Sequence, residues 1–252
     1  MSMLRIEEEI KPNGCAIAKF NMNCDNDDTT IPDPLPKGHF AMSIVGKSGS
    51  GKTNMVLNLL TKRGKMLNRK FDRVYLISPS LATITDDPFE TIPEEQKYTD
   101  LTPDVLEEIK ADIANSGEKC LIVMDDVVAG IKDRKLEMAV AKLTYNRRHL
   151  CGEGGCCCLI ITSQVYNRIP LSIRKNFSHL ILFKSSNKRE LKSIADEVAL
   201  MPDKEFYELL GYTFDKRHNF LYVDTTKDTN QMFHKNFNRL SINNRDKRDY
   251  II

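Results

Sequence analysis

The sequence predicts an α/β domain, a mainly parallel sheet with helices on both faces, and three observations lead there. Short apolar runs recur at residues 40–45, 74–78, 120–124, 157–162, 179–183 and 220–223, and strands that are apolar along their whole length are buried on both sides. Between them lie segments whose apolar residues return at helical spacing. The alternation of the two is what parallel strands with helical crossovers require.

The elements follow in order. Residues 1–38 read as an irregular arm, with a polar stretch at 23–28 and prolines at 32, 34 and 36. The strand at 40–45 runs directly into a glycine-rich loop. A helix is expected over 52–61 with Val56, Leu59 and Leu60 on one face. The strand at 74–78 is stopped by Pro79, and Thr102-Pro103 opens a helix whose Val105, Ile109 and Ile113 share a face. The strand at 120–124 ends in Asp125-Asp126, after which Asp133 caps a helix carrying Leu136, Val140 and Leu143. Strands at 157–162 and 179–183 follow. Asn187 and Glu190 form a capping-box pattern before a helix with Leu191, Ile194 and Val198. Pro202 and Gly211 bracket a further short helix, and 220–223 is the last strand. From residue 236 onward, Arg239, Arg245, Lys247 and Arg248 among asparagines read as a basic tail. The expected organisation is an arm at 1–38, a core at 39–235 and a tail at 236–252.

Composition bounds the function only loosely. A chain of 252 residues with 41% hydrophobic and 29% charged residues suits one large domain with tails. A net charge of +2 neither demands nor excludes nucleic acid. The apolar run at 156–162 is far too short to span a bilayer, and the first residues hold no apolar signal core, so no membrane association or secretion is expected. Seven cysteines, three of them consecutive at Cys156, Cys157 and Cys158, do not make a disulfide framework. Buried thiols in a reducing compartment are the expected reading. A zinc site from His149, Cys151 and the triplet is the less favoured one, because no paired C-x-x-C spacing supports it.

Chemistry enters at Gly46-Lys47-Ser48-Gly49-Ser50-Gly51-Lys52-Thr53. The three glycines let the backbone wrap with its amides converging on a triphosphate. Lys52 brings a positive charge to the β- and γ-phosphates, Thr53 offers a hydroxyl to Mg²⁺, and the following helix presents its positive end. A buried strand before the loop and an amphipathic helix after it supply the context that a plain Gly/Ser turn lacks. Four apolar residues then end in Asp125-Asp126, the Walker B pattern. Asp125 is expected to hold Mg²⁺ through water, and Asp126 to orient or deprotonate the attacking water. The strand at 157–162 is expected between the loop strand and the acidic strand. That places Gln164 beside the γ-phosphate, to sense it or to position water.

Five segments together carry a resemblance. They are the loop at 46–53, Leu121-Ile122-Val123-Met124-Asp125-Asp126, Asn146-Arg147-Arg148-His149, Leu159-Ile160-Ile161-Thr162-Ser163-Gln164, and Ile169-Pro170-Leu171-Ser172-Ile173-Arg174-Lys175-Asn176. In this order they resemble the genome-packaging ATPases of large double-stranded DNA viruses, within the FtsK–HerA group of P-loop ATPases. The similarity runs over 40–184, with weaker support to residue 224. It departs in carrying Asp125-Asp126 where many of the wider group have Asp-Glu. The resemblance implies a RecA-like core, ATP and Mg²⁺ as cofactors, a homo-oligomeric ring, and movement of double-stranded DNA into a capsid through a capsid or procapsid portal component. It implies work in the host cytoplasm at the site of viral assembly, or in the virion. It also implies an arginine finger acting on a neighbouring subunit's site, for which Arg148 and Arg174 match the family's basic positions and Arg147 is an alternative.

Two basic clusters are candidate DNA contacts: Lys62, Arg63, Lys65, Arg69, Lys70 and Arg73, and then Arg168, Arg174, Lys175, Lys184, Lys188, Arg189 and Lys192. Each reads equally as a solvated helix end. Other functions fit less well. A small-molecule kinase needs an arginine-rich lid and an acceptor pocket, and neither is clear. A nucleotide-gated assembly module without sustained hydrolysis would be marked by loss of Lys52, Asp125 or Asp126, and all three are intact. Another DNA translocase or helicase of the same superfamily shares the core chemistry.

Overall fold

A computed structural model describes residues 30–60, 66–67, 69–82 and 88–242. Most of the expected arm, the basic residues Lys62, Arg63 and Lys65, and the tail residues Arg245, Lys247 and Arg248 lie outside the described residues.

The first strand, β1 (Ala41–Val45), leads through the glycine loop into α1 (Lys52–Leu60). Next come β2 (Arg73–Ile77), a two-residue β3 (Lys97–Tyr98), α2 (Pro103–Ile113), β4 (Lys119–Asp125) and α3 (Arg134–Asn146). Then follow β5 (Cys156–Ser163), a single helical turn α4 (Leu171–Arg174), β6 (His179–Phe183), α5 (Lys188–Ile194) and α6 (Asp203–Thr213). The strands β7 (Phe220–Asp224), β8 (Phe233–Lys235) and β9 (Asn238–Arg239) close the chain. All nine strands join one sheet in the order β3-β2-β4-β5-β1-β6-β7-β8-β9. Pairing is parallel from β3 to β6 and antiparallel from β6 to β9. The expected place of β5 between β1 and β4 holds.

Alternate side chains of the fully buried strands face opposite layers. Met42, Ile44, Leu121, Val123, Ile160 and Ile181 pack with Val56 and Leu59 of α1 on one face. Ile122, Met124, Leu159 and Ile161 pack with Leu106, Ile109 and Ile113 of α2 and with Val140 and Leu143 of α3 on the other. A third cluster joins Leu180, Leu182, Leu221 and Val223 to α5 and α6 through Leu191, Ile194, Phe206 and Leu210.

The helix starts behave as the sequence predicts. Thr102 Oγ1 accepts from the Val105 amide at 3.2 Å, and Asp133 Oδ1 accepts from the Lys135 amide at 2.9 Å. Asn187 caps α5 by accepting from Arg189 and Glu190, but Glu190 does not reach back to close a capping box. Its carboxylate instead accepts from the Tyr166 amide at 2.6 Å and from Ser185 Oγ. Helix α5 runs on into a π-turn at Ala195–Ala199, and Gly211 lies inside α6 rather than at its end. The expected arm and tail both contribute to the core: Ile31 and Leu35 are buried, and Pro34 O accepts from Tyr222 Oη at 2.7 Å. Phe237 packs edge-on against Phe220, with ring centroids 4.9 Å apart. The described cysteines Cys120, Cys151, Cys156, Cys157 and Cys158 are free thiols. Burial pushes the Cys158 thiol well above its usual range, which keeps it protonated and inert. Among the described residues no helix is long and apolar enough to cross a membrane.

Candidate active site

The loop sits where β1 leaves the sheet, at the carboxyl end of the parallel strands, flanked by the ends of β4 and β5. Gly46 N donates to Ser163 O at 3.0 Å, which ties the loop to the tip of β5. A Cβ at Gly46 would lie 2.5 Å from Ser50 Oγ and 2.8 Å from Phe183 Cβ, so only glycine fits. Gly49 and Gly51 have φ of +71° and +110°, which the inward-facing turn requires of its backbone. Lys47 and Ser48 stand exposed at the tip, and Ser50 N closes the turn onto Lys47 O at 3.1 Å.

Lys52 is buried, and its Nζ donates to Gly46 O at 2.9 Å and lies 3.6 Å from Asp126 Oδ2. Thr53, the next residue on α1, is exposed to the loop's open side. The carboxylate of Asp125 is held on both oxygens: Thr162 Oγ1 donates to Oδ1 at 2.6 Å and Ser78 Oγ to Oδ2 at 3.0 Å. The same Thr162 Oγ1 accepts from Asp126 N at 3.0 Å, so one hydroxyl on β5 fixes both acids. Asp126 adopts φ +55°, a left-handed conformation that aspartate tolerates better than most residues. This turn aims its side chain back over the loop, where Gln164 Nε2 donates to Oδ2 at 3.3 Å. Asp126 Oδ1 is enclosed and has no protein partner. Lys52, Asp126 and Gln164 therefore converge on one point above the loop, as the sequence anticipates.

Hard oxygen donors are the right chemistry for Mg²⁺, which commonly takes one or two protein ligands and completes its shell with phosphate and water. Thr53 and Asp125 fit that donor set. Among the described residues no group of three or more His, Cys, Asp or Glu side chains is placed to cage a metal by itself, so the zinc alternative finds no support.

Of the predicted residues, the arginines are not at this site. Arg174 makes a two-point ion pair with Glu197, Nε to Oε2 at 2.8 Å and Nη2 to Oε1 at 2.7 Å. It also donates to Ile169 O at 3.1 Å and lies over the Tyr166 ring at 5.2 Å. With every face engaged, Arg174 is a clamp within its own subunit, which corrects its assignment as a catalytic finger. Arg147 is buried and donates to Thr144 O at 2.6 Å. Arg148 is exposed, but it follows α3 and precedes the start of β5, at the opposite end of the strands from the loop. It therefore does not reach the phosphates of its own subunit.

The basic clusters also thin out. Arg73 pairs with Asp112 and Glu118 at 2.5 Å each, and Lys192 with Asp203 at 3.2 Å. Arg168, Lys175, Lys184, Lys188 and Arg189 remain exposed.

Sequence reading missed Ser78, Thr162 and His218. The register pairing Asp125 with Thr162 was the available signal for the second of these. His218, whose Nδ1 lies 3.0 Å from Ser50 O, comes from a turn 168 residues away and leaves no local trace.

Glycine loop, buried lysine and strand-tip acids, with β5 interposed between β1 and β4, define a P-loop NTPase. The chain belongs to the Poxvirus A32 protein family, whose model matches residues 32–248. Among solved structures, the genome packaging NTPase B204 from Sulfolobus turreted icosahedral virus 2, in complex with ATP-γS, is 14% identical. It aligns with a TM-score of 0.53 over 74% of this chain and 92% of that one. The DNA-packaging ATPase B204 from Sulfolobus turreted icosahedral virus is 16% identical, with a TM-score of 0.52 over 81% and 98%. The pCW3 conjugation coupling protein TcpA is 14% identical, with a TM-score of 0.51 over 80% and 60%. At these identities the likeness is one of fold. No curated protein matches the chain in sequence. The resemblance read from the sequence holds at the level of family and fold.

Proposed function

We propose that this protein is an ATP-hydrolysing motor that moves double-stranded DNA into a viral capsid. The observation that carries the hydrolytic part is the convergence of Lys52, Asp126 and Gln164 over the loop. Family membership and the shared fold of the packaging NTPases support the DNA part. The loop amides and Lys52 bind the β- and γ-phosphates. A water held between Asp126 Oδ1 and the Gln164 amide gives up its proton to Asp126 as it attacks phosphorus. Asp125, fixed by Thr162 and Ser78, and Thr53 hold Mg²⁺, which when bound neutralises charge on the phosphates.

Hydrolysis of this kind gains most from a cation supplied at the moment of charge transfer. Arg148 is exposed and remote from its own loop, which supports action on the site of a neighbouring subunit in a ring. The exposed Arg168, Lys175, Lys184, Lys188 and Arg189 are the basic residues we assign to duplex phosphates. A capsid portal component as docking partner and the host cytoplasm as place of work belong to the same proposal.

The test is steady-state ATP hydrolysis with and without long duplex DNA. Turnover should rise with DNA, and Asp126→Asn should lower it by about 100-fold or more while leaving ATP affinity within about threefold. Lys52→Ala should weaken ATP binding itself. Turnover indifferent to DNA in an assembled ring would remove the motor reading and leave a P-loop hydrolase.

A further inference from the structure

Beside the phosphate loop, on the side away from Asp125 and Asp126, lies a cavity of about 360 Å³. Gly51, Asn54, Met55 and Asn58 form one wall. These positions fall at i, i+3, i+4 and i+7, a single face of the loop's last residue and α1. The opposite wall is aromatic, built from Phe183, Phe220, Phe237 and the His218 ring. Because Gly51 belongs to both the loop and the cavity, whatever extends from a phosphate on the loop amides enters this space.

Two further observations single the cavity out. Among the described residues seven non-glycine residues have positive φ, and three of them, His218 (67°), Asn236 (50°) and Phe237 (68°), line it. Backbone held in this costly region concentrates where a ligand must be clamped, and Asp126 shows the same at the other end of the loop. The polar groups are also arranged to accept. Asn58 Nδ2 is spent on Asn54 O at 2.7 Å, which leaves its Oδ1 free to accept. His218 donates Nδ1–H to Ser50 O at 3.0 Å, which leaves Nε2 as an acceptor.

We infer that this cavity seats the nucleobase of the triphosphate, with Phe237 and His218 offering flat surfaces and Asn58 and His218 accepting from an exocyclic amine. The ligand class is an amine-bearing purine nucleotide, adenine above guanine. This rests on the triphosphate reading of the loop, but not on hydrolysis or on DNA. Through Ser50 O, His218 also ties base occupancy to the conformation of the phosphate loop.

Equilibrium binding tests it, with ATP, GTP and inorganic tripolyphosphate titrated against the full chain. Wild-type protein should bind ATP more tightly than GTP, and at least about tenfold more tightly than tripolyphosphate, since base contacts of this kind are worth a factor of that size. Asn58→Ala and His218→Ala should each lower ATP affinity several-fold and leave tripolyphosphate affinity unchanged. Asn58 is exposed and does not touch the loop turn, so its variant separates base recognition from loop geometry. Equal wild-type affinity for ATP and tripolyphosphate would overturn the base site while leaving the loop reading intact, provided Lys52→Ala abolishes both. A parallel loss of both ligands in Asn58→Ala would overturn it as well.

Discussion

Asp126 is the residue on which most of the chemistry turns, and its geometry depends on Thr162. A single hydroxyl donates to Asp125 and accepts from the Asp126 backbone, so an isosteric change at Thr162 should disturb both carboxylates at once. The residue scale also holds a pH dependence. Burial pushes His179 down to about 4, against the opposing pull of Asp224, so the imidazole is neutral in the fold at neutral pH. The unfolded chain takes that proton near 6.5. Between about pH 6.5 and 4 the unfolded state thus binds more protons, and stability falls as pH drops through that window. The expected loss from this one group at pH 5 is on the order of 2 kcal/mol relative to pH 7. Urea unfolding at both pH values checks it: the wild type should lose more than His179→Gln, and an equal loss would remove His179 as the cause.

At the scale of elements, the segment from β5 to β6 is held by ties that no local pattern announces. Glu190, at the start of α5, accepts from the Tyr166 amide, and Arg174 in α4 grips Glu197 in the π-turn. Arg174→Ala should therefore destabilise the fold by about 2 kcal/mol, visible as a lower melting temperature. Turnover per folded ring should stay within about threefold, because a finger's loss would cost a factor of 10³ or more. Arg174→Lys should recover little, since it keeps the charge but not the two-point geometry. A collapse of turnover without a change in melting temperature would return Arg174 to the catalytic machinery.

For the whole molecule, the sheet separates two working ends. Phosphate chemistry sits at the carboxyl ends of the strands, and Arg148 lies at the other end. In a ring, that separation lets one subunit complete its neighbour's site. Mixing Arg148→Ala with Asp126→Asn subunits should give more turnover than either variant alone, because an intact site can then meet an intact arginine. Mixtures with no gain at any ratio would show that Arg148 does not act across the boundary.

The sequence by itself determined the strands, the phosphate loop, the acidic pair and the place of Gln164. These are local facts: apolar runs, glycine placement, and polar residues immediately following a strand. The tertiary structure alone decided which arginines are engaged, because Glu197 lies 23 residues from Arg174 and only packing brings them together. It also decided that Glu190 serves Tyr166 rather than its own helix cap, and that His218 closes against a loop 168 residues earlier. The physical reason is the same throughout. Periodicity and backbone preference are written along the chain, whereas a long-range ion pair or hydrogen bond depends on distances that exist only once the sheet has brought its strands side by side.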